Sequence, residues 1–393
     1  MIKQKLLVIG SGIFVVFFTG FPHLWSIYQP YIMESTGWSI DQSRLCFYFA
    51  LITFAFGNVF GGKIQDRYKP SYAIWLGGII STISVISSAY TADKSLIGMY
   101  VGYALQGIGQ GMIYTTVISV FQKWFPTKIG FASGLAVTAN AMCGFILAPP
   151  SKFWLKNYGP NTTFLLVGIL VGLSWILGSI FVKNPPSYEV LSKSSAATNN
   201  LTTAQMIKTK EFYMLFVAMI ASLLAYFLIS PMAQIIQEEK GVPTEYTIYA
   251  IMIGPIANAS FKLLLPTIAD KLGRLRILKY NIFIGTFGMI LIWLGTGYLS
   301  SIGIVLVYGS YGGVLGSFPS ITSQYFGVKY QGQNYGTMLF GLSFASVVAP
   351  ITYGFIDGNN YVYAGIISFI MAFLLILALD KNTIKSETKL LVN

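Results

Sequence analysis

Runs of about 20 apolar residues recur along the whole chain, and this constrains the fold more than any other feature. As a helix rising 1.5 Å per residue, each run is long enough to cross ~30 Å of hydrocarbon. A β-barrel would show alternating segments of ~10 residues instead. Runs near residues 6–28, 43–64, 72–92, 96–121, 130–154, 163–183, 211–237, 245–268, 277–299, 301–324, 333–355 and 359–380 predict an all-α membrane protein with twelve transmembrane helices. A charged fraction of 10% and a mean hydropathy of +0.66 agree, since a soluble chain of 393 residues needs more surface charge. The start, MIKQKLLVIGSGIFVVFF, is basic and then apolar, like a signal peptide. Its apolar stretch continues to about Tyr28 without a small-residue cleavage site, so it reads as a retained first span.

One long connection, residues 184–210, contains NPPSYEVLSKSSAATNNLTT and is rich in Pro, Ser and Asn. It divides the chain into an N-terminal six-helix bundle (1–183), a cytoplasmic linker (184–210) and a C-terminal six-helix bundle (211–393). With both termini inside, nineteen of the 25 Lys and Arg residues fall in cytoplasmic segments. Five fall outside (Arg44, Lys94, Lys152, Lys156 and Lys240), and the remaining one is Lys262. This is the positive-inside pattern. It predicts a multi-pass protein of the plasma (inner) membrane with cytoplasmic N- and C-termini. The net charge of +12 is thereby an orientation signal, and no nucleic-acid partner is expected. Cys46 and Cys143 lie in separate apolar segments without a CxxC pattern, which argues against a metal site.

The two halves echo each other. GKIQDRYKP (62–70) follows the second span and PTIADKLGR (266–274) the eighth, with Asp66 and Asp270 204 residues apart. Phe125, Lys128, Ala148 and Pro149 recur 201 residues later as Phe326, Lys329, Ala349 and Pro350. Parallel six-helix repeats of this kind place a central site between the halves and allow rocking around it.

The acidic-then-basic loops after the second and eighth spans resemble the signature loop of the major facilitator superfamily. GIGQGMIYTTVISVFQKWFPTKIGFASGLAV (107–137) and GGVLGSFPSITSQYFGVKYQGQNYGTM (312–338) resemble its oxalate/formate antiporter branch and the related monocarboxylate transporters. The resemblance covers nearly the whole chain and is weakest in the third, sixth, ninth and twelfth spans. It implies the major facilitator fold. That branch often carries an Arg in the eighth span, eight residues before the loop aspartate; Lys262 stands there, eight before Asp270. The oxalate carrier has a further Lys in its eleventh span, at a place that falls on Leu342 here, counting from Asn334–Gly336. Two cations suit a dianion, so the single lysine implies a monoanion instead. A tyrosine of the branch, in a G-x-x-Y-x-W-S pattern of the first span, is replaced by His23 in GFPHLWS.

Eight residues at 1.5 Å put Lys262 about 12 Å from the loop aspartate, near mid-bilayer. Asn258 and Gly254 lie one and two turns earlier on the same face. A Gly–Asn–Lys stripe is unlike a lipid-facing surface and fits a helix lining a wet cavity. The lysine either holds an anion there or snorkels to the interface. None of the 13 Asp and Glu falls within a span interior, so no counter-ion is evident. Dehydration disfavours the charged form of an unpaired lysine, and an incoming carboxylate would supply the missing charge. At ~4 Å and an effective dielectric of ~20 that attraction is about 4 kcal/mol, part of which offsets desolvation. A monoanion entering with a proton, or exchanged for another anion, leaves the loaded site charge-balanced.

Other candidates surround this one. His23, the only histidine, is either a proton sensor or a hydrogen-bonded cavity wall. Gln106, Gln110 and Tyr114 share one face at i, i+4, i+8, with Gly107 and Gly111 beside them for close helix packing. Tyr28, Tyr311 and Asn334 are further cavity candidates; for all of these a hydrogen bond between helices is the competing reading. The loop charges Asp66, Arg67, Asp270, Lys271 and Arg274 read as gate elements that latch through charge pairs and helix dipoles, or as topology signals alone.

No ATP-binding loop, metal-ligand spacing or nucleophile–base set is visible, so neither an enzyme nor a cofactor is expected and the energy must come from gradients. The expected function is secondary transport of a small organic anion of the lactate, pyruvate or formate class. The expected partners are a carboxylate anion, a proton and the lipid bilayer, with the chain acting as a monomer. The alternative is a major facilitator sugar carrier or drug/proton antiporter, which usually needs an acidic residue within a span. A membrane sensor or scaffold would need a signalling domain, and no segment is long enough for one.

Overall fold

The computed structural model describes residues 2–186, 200–355 and 360–392. Residues 187–199 of the expected linker, with Lys193, and Asp357 of an outer segment lie outside the described residues. In chain order the helices are α1 (Ile2–Phe18), α2 (Trp25–Thr36), α3 (Ile40–Arg67), α4 (Pro70–Thr91), α5 (Leu96–Trp124), α6 (Ile129–Phe181), α7 (Thr203–Met206), α8 (Lys210–Ile229), α9 (Ala233–Glu239), α10 (Thr244–Leu272), α11 (Arg274–Leu294), α12 (Tyr298–Phe326), α13 (Gln331–Met338), α14 (Phe340–Phe355) and α15 (Tyr361–Val392). No strand occurs among the described residues.

Among the described residues, nine helical stretches are long and apolar enough to cross a membrane, and a tenth is the bent pair of α1 and α2. α6 holds two of the expected spans in one run of 53 residues, divided at Gly159 (φ 75°, ψ 173°), a backbone conformation open to glycine, with Pro160 next. α5, at 29 residues, is long enough, although its Gly, Gln and Thr residues dilute the apolar run.

The expected first span, 6–28, is broken rather than straight. Phe21–Leu24 form a 3₁₀ turn that bends the helix by 41°. Pro22 lacks the N–H that would continue the α1 ladder. The 211–237 span also carries a 3₁₀ turn, over Ser230–Met232 with Pro231, yet runs on as one stretch from Lys210 to Glu239. α3 begins with a capping box, in which Ser39 Oγ accepts from the Gln42 N–H and Gln42 Oε1 accepts from the Ser39 N–H.

The chain forms two compact units, Met1–Thr203 with Thr322–Phe340, and Ala204–Ile321 with Gly341–Asn393. In unit 1, Gly57 and Gly61 of α3 face the backbone of α5 at Ile108 and Met112, while Gly107 and Gly111 of α5 face Ala50 and Phe54 of α3. Side chains at these positions would collide with main chain, so the helices meet through small residues on both sides. Part of the unit's core is aromatic: Trp25 lies edge-on to Tyr103 at 4.8 Å, and Phe21, Tyr28 and Phe164 join it. In unit 2, Lys279 Nζ donates to Asp380 Oδ2 at 2.6 Å and ties α11 to α15. Large apolar side chains such as Ile97 (73% exposed), Phe145 (68%) and Ile367 (65%) project from the helices, where lipid tails rather than water suit them.

Candidate functional site

Lys262 lies on α10 and is only 6% exposed. Its ammonium stands 5.7 Å from the centre of the Tyr311 ring on α12, within cation–π range. Among the described residues no carboxylate pairs with it; Asp270 pairs with Arg274 and Asp380 with Lys279 instead. The Gly254–Asn258–Lys262 stripe faces α12. The Tyr308 ring fills the space beside Gly254, the Asn258 carbonyl fills the space beside Gly312, and the Lys262 backbone fills the space beside Gly316. The stripe is thus a helix joint, made possible by glycines on the opposite helix, and only the end of the lysine reaches beyond it. Asn258 Oδ1 is buried in this joint with no hydrogen-bond partner among the described residues.

A second polar locus lies in unit 1. Gln106 and Gln110 are each 1% exposed and Tyr114 is 3% exposed. Neither amide atom of Gln110 has a hydrogen-bond partner among the described residues, nor does Gln106 Nε2. Buried amides left like this are costly unless water or a ligand meets them. Asn58 of α3 packs beside Gly111, donates through Nδ2 to the Phe54 carbonyl at 2.7 Å, and leaves Oδ1 unpartnered among the described residues.

The other expected site residues are dispersed. His23 is exposed on the 3₁₀ turn, its ring 6.0 Å from that of Phe47. Tyr28 is fully buried in the aromatic core and donates to Ser151 Oγ at 3.1 Å. Asn334 on α13 holds the end of the linker: Nδ2 donates to the Leu201 carbonyl at 2.9 Å, and Oδ1 accepts from Thr203 Oγ1 at 2.8 Å. Tyr311, 7% exposed, joins Lys262 and Asn258 in unit 2.

The two signature loops are held differently. Asp66 Oδ2 accepts from the Gln333 N–H at 2.9 Å, at the start of α13, and Oδ1 accepts from Gln65. Thr115 Oγ1 donates to the Gly332 carbonyl at 2.9 Å. A carboxylate on the first turn of a helix meets its free N–H groups and its positive dipole end. Arg67 turns away over the Tyr68 ring, at 5.5 Å. In the second loop Asp270 pairs with Arg274 at 3.7 Å, one turn on, and Lys271 is exposed.

Sequence reasoning missed three participants. Lys123, counted among loop cations, is 7% exposed, and its Nζ donates to Gln65 Oε1 at 3.3 Å; its place one residue before the end of α5 was the available signal. Gln65 also donates to Ser119 Oγ at 2.9 Å. Tyr226 of α8 stacks on Tyr311 with ring centres 3.9 Å apart. Within an apolar run, nothing in the sequence singles it out.

A family model of the Major Facilitator Superfamily matches residues 9–350, and the chain belongs to that family. It is a multi-pass membrane transporter, not an enzyme, with the twelve-helix, two-bundle fold of the superfamily. It is 23% identical over 350 residues to the uncharacterized MFS-type transporter YhjX of Escherichia coli (strain K12), covering 88% of this chain and 86% of that one. It is 21% identical over 367 residues to the oxalate:formate antiporter of Oxalobacter formigenes, covering 90% and 86%. Among solved structures, the transporter FucP in its outward conformation superposes with a TM-score of 0.72 at 13% identity, covering 95% of this chain and 98% of that one.

Proposed function

We propose that the chain carries a small monocarboxylate, of the lactate, pyruvate or formate class, by alternating access. The anion moves either with a proton or in exchange for another anion. The observation that carries this reading is Lys262, a buried lysine beside a tyrosine ring with no carboxylate paired to it among the described residues. An ammonium taken out of water needs a counter-charge, and a substrate carboxylate provides one. The similarity to an oxalate:formate antiporter supports an organic anion as cargo, and a single buried cation among the described residues of unit 2 supports a monoanion.

Asn258 and Tyr311 shape the lysine's surroundings, and Gln110 and Tyr114 offer hydrogen bonds in unit 1. His23 stands as a candidate proton carrier, and Tyr28 and Asn334 support the walls through their hydrogen bonds. Asp66, with Arg67, and Asp270, with Lys271 and Arg274, act as gate elements, released and re-formed as the carrier changes state. The protein works as a monomer in the plasma (inner) membrane with both termini in the cytoplasm. The bundles are 1–183 and 211–393, joined by the linker 184–210.

Proteoliposomes containing wild type, Lys262→Ala or Lys262→Arg, offered labelled lactate, pyruvate and formate, test this. Wild type transports at least one of the acids, and the Ala variant loses about 100-fold in kcat/KM, roughly 3 kcal/mol. The Arg variant keeps a measurable part, because the charge remains. Equal uptake by wild type and Lys262→Ala rejects the reading. Uptake of a sugar and of no acid favours the sugar carrier instead.

A further inference from the structure

Unit 2 builds more around Lys262 than an ion pair requires. Tyr226 and Tyr311 are the closest ring pair among the described residues, 3.9 Å apart and inclined by only 21°. Ring faces carry negative charge density, so two faces this close are not favoured by their own electrostatics, and packing must impose the arrangement. Tyr308 presses edge-on against Tyr226 at 4.9 Å and 75°, anchored by its hydroxyl to Ser230 Oγ at 3.0 Å. Phe227 stands edge-on to Tyr311 at 5.9 Å and 83°. Gly254, on the helix that carries Lys262, leaves room for the Tyr308 ring: a Cβ there would lie 2.8 Å from Cδ1. Three helices therefore fix the Tyr311 ring beside the ammonium.

Resting on the reading of Lys262 as the anion-holding cation, we infer that Tyr226 is a positioning residue that sets Tyr311, and that this tyrosine pair selects monocarboxylates against dicarboxylates. One carboxylate pairs with the ammonium. A second would meet ring faces, which attract cations and repel anions. Lys262 is the only Lys or Arg buried in unit 2 among the described residues, so a second carboxylate finds no second cation there. The apolar part of a monocarboxylate packs against the same rings without that penalty.

The test measures uptake, in proteoliposomes, of whichever of lactate, pyruvate or formate wild type carries fastest, with acetate and malonate as unlabelled competitors. Wild type is compared with Tyr226→Phe, Tyr226→Leu, Tyr311→Leu and Lys262→Ala, and thermal melting with the same acids reports binding apart from transport. Tyr226→Leu raises KM about tenfold with kcat nearly kept, and malonate competes better against acetate than in wild type. Tyr226→Phe, which keeps the stack, behaves as wild type. Tyr311→Leu reproduces the phenotype of Tyr226→Leu, and a further protein carrying both Tyr226→Leu and Tyr311→Leu shows no larger effect than either alone. Should Tyr226→Leu fail to fold, Tyr311→Leu alone decides. Wild-type KM and wild-type acetate-over-malonate preference in the folded leucine variants overturn the inference and leave the anion reading standing, provided Lys262→Ala has lost uptake. If no acid is carried and none shifts the melting temperature, the anion reading fails and this inference with it.

Discussion

In unit 1, α3 and α5 approach backbone to backbone through glycines on both helices; in unit 2, α10 and α12 do so through glycines on α12 only, against Asn258 and Lys262, while Gly254 of α10 faces the Tyr308 side chain. Gly111 meets the carbonyl of Phe54, and Gly312, 201 residues later, meets that of Asn258. Phe54 and Asn258 are 204 residues apart, as are Asn58 and Lys262. The same joint thus ends in a carboxamide in one unit and an ammonium in the other. Asn58 satisfies its donor on its own helix, at the Phe54 carbonyl. Lysine carries three donors and a full charge, which no single backbone carbonyl can neutralise. A repeated packing plan can therefore leave one copy with a neutral amide, its donor satisfied and its Oδ1 unpartnered among the described residues, and the other with a buried charge.

Substitutions at matched positions can break or sharpen this comparison. The largest contrast is expected between Lys262→Ala, down about 100-fold in kcat/KM, and Asn58→Ala, within about threefold of wild type. Equal losses at the two positions would mean that both joints contribute to transport in the same way. Next come Gly111→Leu and Gly312→Leu, each forcing a side chain into backbone at a cost of about 1–3 kcal/mol, read by thermal melting in detergent. Gly111→Leu should cost more, because glycines hold both of its helices close and neither can retreat. The smallest contrast is between the loops. Asp66→Asn weakens charge-assisted hydrogen bonds to Gln65 and the start of α13, worth about 1–2 kcal/mol. Asp270→Asn removes an i,i+4 pair worth less than about 1 kcal/mol. A larger melting shift for Asp270→Asn would reverse this ranking.

Much of the fold is legible in the chain. The recurring apolar runs mark out membrane-crossing helices without coordinates. The breaks and 3₁₀ turns are less legible. Pro22 and Pro231 sit inside runs that look continuous, and Gly159 with Pro160 joins two spans with almost no loop between them. At the candidate site, the depth of Lys262 and the scarcity of carboxylates in the spans can be read directly. The Gly254–Asn258–Lys262 stripe reads as a wall open to water, whereas it packs on α12, because a small-residue face signals close packing and a water-lined face alike. Asn334 reads as a cavity candidate, and nothing local in the sequence shows its hydrogen bonds to Leu201 and Thr203, 133 and 131 residues away.

The sequence by itself determined that this is a helical membrane protein of repeated halves with one lysine deep in an apolar span. Chain length, hydropathy and charge position are local properties, and the bilayer acts on them locally. Only the tertiary structure decided that the Lys262 ammonium meets a tyrosine held by a second tyrosine, and that Asp66 caps a helix 267 residues further on. In lipid, the outward and inward faces of a helix are both apolar, so periodicity does not reveal which face meets which neighbour, and contacts between distant segments leave no mark on composition.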